Sequence, residues 1–246
     1  MECQTNCRCG GKIFGALLIA AGLACGGFFP GYYYYQAKLK SNFVSVKGLA
    51  ETDVRADLAV WDIKYVATGN ELSATQQQIN QNLVAVRNFL KEHGFQSEEI
   101  IEGRIETNDL MTNPYRDNTR NSVRFIVSQT VTVRSTKVDE VEKALRSTGD
   151  LVAKGVILDN QYGSPVSYIF TRLNDIKPQM LEEATRNATA AAQEFAKSSN
   201  SKVGKIRRAQ QGVFSILPRE QANNAMESAQ INKRVRVVST VEFWLE

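Results

Sequence analysis

The chain has 246 residues, 43% apolar and 23% charged, with 30 basic and 26 acidic side chains and a formal net charge of +4. That composition excludes a disordered or fibrous chain, allows a core without cross-links, and is too weakly basic to argue for nucleic acid. All four cysteines (Cys3, Cys7, Cys9 and Cys25) lie in the first 25 residues, which excludes a disulfide scaffold and a thiol active site from the main body.

Residues 1–12 read as a short cytosolic tail. Its Cys3, Cys7 and Cys9 have a spacing that metal binding or acylation could use, though a reduced, unstructured tail is the simpler reading. From Ile13 to Phe29 the chain runs 17 residues without a charge. As a helix that is about 25 Å, slightly short of a bilayer core of about 30 Å. Tyr32 to Tyr35 follow at the depth where amphipathic rings meet headgroups, so residues 13–35 are expected to form one transmembrane anchor. Arg8 and Lys12 precede it, which places the N-terminus in the cytoplasm and the body in the periplasm. An uncleaved signal anchor is expected. Cleavage near Ala24-Cys25-Gly26 and a lipid on Cys25 are the alternatives, and all three export the body. Gly11/Gly15 and Gly22/Gly26 have the spacing of close helix pairs in lipid, but a Gly/Ala-rich run produces such spacing by chance.

Residues 36–42 form a polar linker. Phe43–Gly48 reads as a strand, Gly48–Glu51 as a turn, and Val54–Val66 as a longer strand in which Val54, Ala56, Leu58 and Val60 alternate with polar residues. Glu71 to His93 is a helix with Leu72, Ile79, Leu83, Val86 and Leu90 on one face, ended by Gly94. Strands are expected at Ile100–Leu110 and Ser122–Arg134, joined by a polar loop. A helix over Val138–Thr148 turns Val138, Val141 and Leu145 inward. Short strands follow at Gly155–Leu158 and Val166–Leu173. A long helix from Asp175 to Ser198 places Ile176, Met180, Ala184, Ala188, Ala191 and Phe195 on one face. Strands at Lys205–Leu217 and Lys233–Leu245 flank a second long polar loop.

In the last strand Val235, Val237, Val241, Phe243 and Leu245 oppose Arg234, Arg236, Thr240 and Glu242. One dry and one wet face imply an α+β fold, with antiparallel sheets and helices packed on one side. The two halves also resemble each other: Phe89-Leu-Lys and Phe195-Ala-Lys near the ends of the long helices, and the strands after Asn121 and Asn232. An internal duplication is weighed against the general likeness of amphipathic strands.

Three stretches carry a resemblance to a known family: Val44-Ser-Val-Lys-Gly-Leu-Ala-Glu51 with Val54-Arg-Ala-Asp57-Leu-Ala, the alanine-rich Ala184–Ala196 before Val203-Gly-Lys-Ile206, and the closing Val-Arg-Val-Val-Ser-Thr-Val241. Over about residues 43–246 the chain resembles the SIMPL-domain family, with Leu49 where many members have glycine. The resemblance implies an α+β fold, bacterial envelope proteins, some labelled oxidative-stress defence proteins, and ring-like or channel-like homo-oligomers. It brings no catalytic residues.

Candidate chemistry is sparse. His93, the single histidine, sits at a helix end where it meets cap carbonyls, and without a second one the usual histidine triads and metal clusters are missing. Glu51, Asp53 and Asp57 could serve as acid–base groups, but fixing a turn or pairing with arginine is the expected role. Asp57 in particular is expected near Arg55 or a neighbouring strand. Arg207, Arg208, Arg234 and Arg236, with Arg124 near them, form either an anion patch or a solvated sheet face. Trp61, Tyr65 and Tyr168 lack the interleaving of a nucleic-acid platform. No catalytic, cofactor-binding or metal-ligating residue is expected. The expectation is a non-enzymatic, membrane-anchored envelope protein that self-assembles as a homo-oligomer, contacts membrane lipid through its anchor, and serves as a scaffold or in stress defence. A periplasmic ligand- or peptide-binding module is the alternative, and an enzyme ranks third. The loops 111–121 and 218–232 are expected to be subunit contacts.

Overall fold

The computed structural model describes residues 15, 22–23, 26–36, 42–112, 123–159, 166–220 and 226–246. The expectations for the tail, for much of the 13–35 span, for residues 37–41 of the linker, and for 113–121 and 221–225 of the two loops lie outside them. Residues 26–36 are helical. Among the described residues no helix is long and apolar enough to cross a membrane.

The body comprises β1 (Phe43–Arg55), β2 (Leu58–Gly69), α1 (Leu72–Glu92), β3 (Ile100–Asp109), β4 (Phe125–Ser135), α2 (Val138–Arg146) and α3 (Gly149–Ala153), followed by β5 (Ile157–Leu158), β6 (Val166–Ile169), α4 (Leu173–Ser198), β7 (Val203–Gln211), β8 (Ser215–Pro218) and β9 (Asn232–Leu245). This is an α+β fold with two antiparallel sheets. One has the order β1-β9-β7, with β8 also on β9; the other has the order β3-β4-β2-β5, with β6 also on β2. The chain divides into two compact units. One holds the described residues up to Leu49, Glu183–Gly212 and Val238–Glu246; the other holds Ala50–Glu182 and Val213–Val237.

In the larger unit β2 and β4 pair without a break from Ala59↔Ser135 to Gly69↔Phe125. Period-2 alternation buries Trp61, Ile63 and Tyr65 and leaves Asp62 and Lys64 outside. α1 and α2 pack on the inner face, where Ile79, Val86, Phe89, Leu90, Val138 and Val141 join one cluster with the strand residues. Trp61 meets Phe89 edge-on at 6.5 Å, a geometry worth about 0.5–1.5 kcal/mol beyond the area buried. The Tyr65 hydroxyl donates to Gln129 Oε1 at 2.8 Å, which removes the cost of burying both groups.

In the smaller unit the start of β1, the end of β9 and α4 share a second cluster of Val46, Ala188, Ala192, Val241 and Phe243. Small side chains let the helix lie close to the strands: a Cβ at Gly48 would strike the backbone of Ala184 and Ala188.

Four expectations need correcting. Gly48–Glu51 is not a turn; β1 runs through it to Arg55, because glycine is needed there for room rather than for bending. The reversal falls at Ala56-Asp57, which resets the parity of β2, so that Trp61, Ile63 and Tyr65 face inward and Val60 does not. Lys205–Leu217 is two strands, β7 and β8, separated at Gly212–Phe214. Phe195 is 61% exposed. The buried stripe steps by four through Met180, Ala184, Ala188, Ala192 and Ala196, and such a stripe winds about 40° per step, leaving Ala191 and Phe195 beside it.

Candidate functional site: a charged strand and an arginine-lined cleft

Alternation along β1 puts Glu51, Asp53 and Arg55 on one exposed face. Arg234 on β9 donates from Nε to Asp53 at 2.8 Å, and Arg219 approaches the same carboxylate at 3.2 Å. Glu51 lies 3.6 Å from Arg236 and 3.9 Å from Arg234. The hydrogen bond from Arg234 holds the Asp53 carboxyl below its ordinary range. Arg55 pairs with Asp139 at the start of α2, and that bond likewise lowers Asp139. The first two acids singled out in the sequence thus join one ladder of ion pairs.

Asp57 sits apart. It accepts from the Thr171 N–H at 2.8 Å, the Thr171 hydroxyl at 3.1 Å and Arg172 Nε at 3.1 Å. Burial pushes its carboxyl up, and these hydrogen bonds more than reverse it, so Asp57 titrates below the usual aspartate range. Its role is to fasten the β1–β2 turn to the end of β6, where the Asp57 N–H also donates to Ile169 at 3.0 Å. Its partner is Arg172, not Arg55.

Beside the ladder lies an open cleft of about 750 Å³, lined by Arg55, Glu142, Arg146, Tyr168, Arg219 and Asn232 among others. α2 supplies Glu142 and Arg146, which pair with each other. Tyr168 is nearly buried on β6; burial pushes its phenol up, and the Glu142 charge adds to this. The remaining wall comes from the two described ends of the β8–β9 connection. Three contacts fix it. The Ala56 N–H donates to Ile231 at 2.8 Å. The Gln230 amide bridges to the Glu220 backbone. Lys233, fully buried, donates from Nζ to the Glu227 carbonyl at 2.7 Å and to its carboxylate. The cleft therefore offers guanidiniums, a phenol and carboxylates, a set suited to holding a polar or charged group. Among the described residues no group of three or more His, Cys, Asp or Glu could hold a metal ion.

The other residues picked from sequence scatter. His93 ends α1, with its N–H and ring Nδ1 both within 3.2 Å of the Phe89 carbonyl and its ring 4.3 Å from that of Phe89, as the helix-end reading required. Arg124 pairs with Asp109. Arg207 lies over Phe43 and Trp244, at 4.1 and 5.0 Å, and pairs with Glu242. Trp61, Tyr65 and Tyr168 belong to the core. Sequence reasoning did not find the cleft or Lys233. The only hint was a lysine in phase with Val235 and Val237.

Residues 44–243 match the family described as SIMPL, protein of unknown function (DUF541). The chain belongs to this family. No curated protein matches it.

Proposed function

Taking SIMPL-family membership as the premise, we propose that this protein is a membrane-anchored, non-enzymatic envelope protein whose body lies in the periplasm and assembles with copies of itself as a scaffold, in a ring or channel, or in stress defence. The observation that carries the anchor is the helix at residues 26–36. Phe28, Phe29 and Tyr32 to Tyr35 on it are each at least 50% exposed, so apolar rings surround the helix and no face of it is buried. Such an all-round aromatic surface is costly in water and suits the headgroup boundary, and it continues the uncharged run from Ile13. Arg8 and Lys12 set the orientation. The non-enzymatic reading draws on Glu51, Asp53 and Asp57, whose carboxylates are engaged in ion pairs and hydrogen bonds.

The test is fractionation in a bacterial host. The full chain should stay with membranes through a carbonate wash, and protease added outside spheroplasts should digest the body. Release by the wash, or protection of the body, would overturn the reading.

A binding module is the second reading, favoured by the cleft and its built wall. A screen of peptides and small anions by thermal shift, repeated on Arg146→Ala, tests it. A shift that the variant abolishes supports this reading, and no shift with any probe counts against it.

The order β1-β9-β7 with α4 parallels β2-β4-β3 with α1. β3 and β7 each depart from regular pairing at a Gly-basic-Ile triplet, Gly103-Arg104-Ile105 and Gly204-Lys205-Ile206. This parallel supports an internal duplication.

A further inference from the structure

Among the described residues β3 and β7 are terminal strands of their sheets, each paired along one edge only. Both are long, with ten and nine residues. Both are exposed on their two faces: every residue from Ile101 to Asn108 and from Lys205 to Gln211. The apolar side chains Ile101, Ile105 and Ile206 lie uncovered on them. An edge of this kind is a template for another strand unless something blunts it. Here the charges are opposite. β3 carries Glu102, Glu106 and Asp109, which pair with Arg87, Arg104 and Arg124 of the same chain, and its own charges sum to negative; β7 carries Lys205, Arg207 and Arg208 and no acid, with Arg207 paired to Glu242. Lys205 and Arg208 have no ion-pair partner among the described residues.

Resting on the self-assembly reading above, we propose that β3 of one copy pairs with β7 of the next. The charge pattern rejects the other pairings. β7 against β7 sets bases on bases, and β3 against β3 joins two strands of net negative charge with no base beyond Arg104, so both two-fold pairings are disfavoured, the first most strongly. Only the mixed pair joins opposite signs while completing the backbone ladder of both strands. A contact between two different surfaces is head-to-tail, and it closes into a ring or continues as a filament.

A charge swap on the full chain in mild detergent, read as native mass, tests this. Lys205→Glu with Arg208→Glu, and separately Glu102→Lys with Glu106→Lys, should each weaken assembly at least tenfold in the concentration required. All four changes together should restore it. These side chains are exposed, so unchanged melting curves confirm that each variant folds. Wild-type assembly that survives either reversal, or that the combined variant fails to restore, overturns the strand pairing and leaves self-assembly standing. A wild-type chain that is a monomer overturns self-assembly itself.

Discussion

Replacing Gly48 with alanine tests how α4 is seated. The added methyl would strike the Ala184 carbonyl and come within 2.7 Å of the Ala188 nitrogen. Both are backbone atoms, so no rotamer change relieves the clash and helix and strand must separate. Ordinary contact is nearer 3.5–4 Å, and the carbonyl oxygen of Ala184 would lie at 1.8 Å, which demands a shift of about 1.5–2 Å in a cluster where Ala188 and Ala192 have no exposed surface. It would also stretch the bond from Asn187 Nδ2 to the Leu49 carbonyl, 2.8 Å long. Overpacking of this kind costs typically 1–3 kcal/mol and occasionally more; with backbone on both sides the expected loss is about 3 kcal/mol. In urea that moves the unfolding midpoint down by roughly 1 M or more at unchanged slope. A midpoint within experimental error of wild type would refute the close seating of α4 on β1.

Phe195→Ala removes an exposed ring and should change stability by less than about 0.5 kcal/mol; a loss of several kcal/mol in the isolated chain would return Phe195 to the core. Asp57→Asn should cost about 1–2 kcal/mol by weakening charge-assisted bonds at a site only 18% exposed. Because the folded carboxyl is depressed, its contribution is complete above about pH 4 and is lost as pH falls through the lower folded value. An acid titration of wild type should show that loss, and the variant should lack it. Glu227→Ala strands the buried Lys233 ammonium and should cost about 3 kcal/mol, whereas Lys233→Met leaves a carboxylate that is 38% exposed and should cost less. Denaturation midpoints that rank the two the other way would mean Glu227 does not hold that charge.

The fold was legible wherever burial followed a simple period. The last strand is the clearest case, since its buried residues alternate from Lys233 to Phe243. In α1, Ile79, Val86 and Leu90 are buried as their spacing implied, while Leu72 at the helix start is exposed. Glycine misled: the residue that reads as a turn in Gly48–Glu51 serves the approach of a helix more than 130 positions away in the chain. Phe195 misled because hydrophobicity was weighed over size, whereas the buried face of α4 needs methyls for a close approach. Charge partners were the least legible. Asp53 and Arg234 are 181 positions apart, and nothing local joins them. The cleft was hidden for the same reason, since its walls come from β1, α2, β6 and the β8–β9 connection.

Native mass spectrometry of the full chain extracted from membranes tests the central claim most directly, because one spectrum gives both the mass of the chain and the number of copies. The account predicts an intact chain of 27.4 kDa, still carrying its N-terminal anchor, in a complex of several copies. A single copy, or a chain beginning near Gly27, would contradict it.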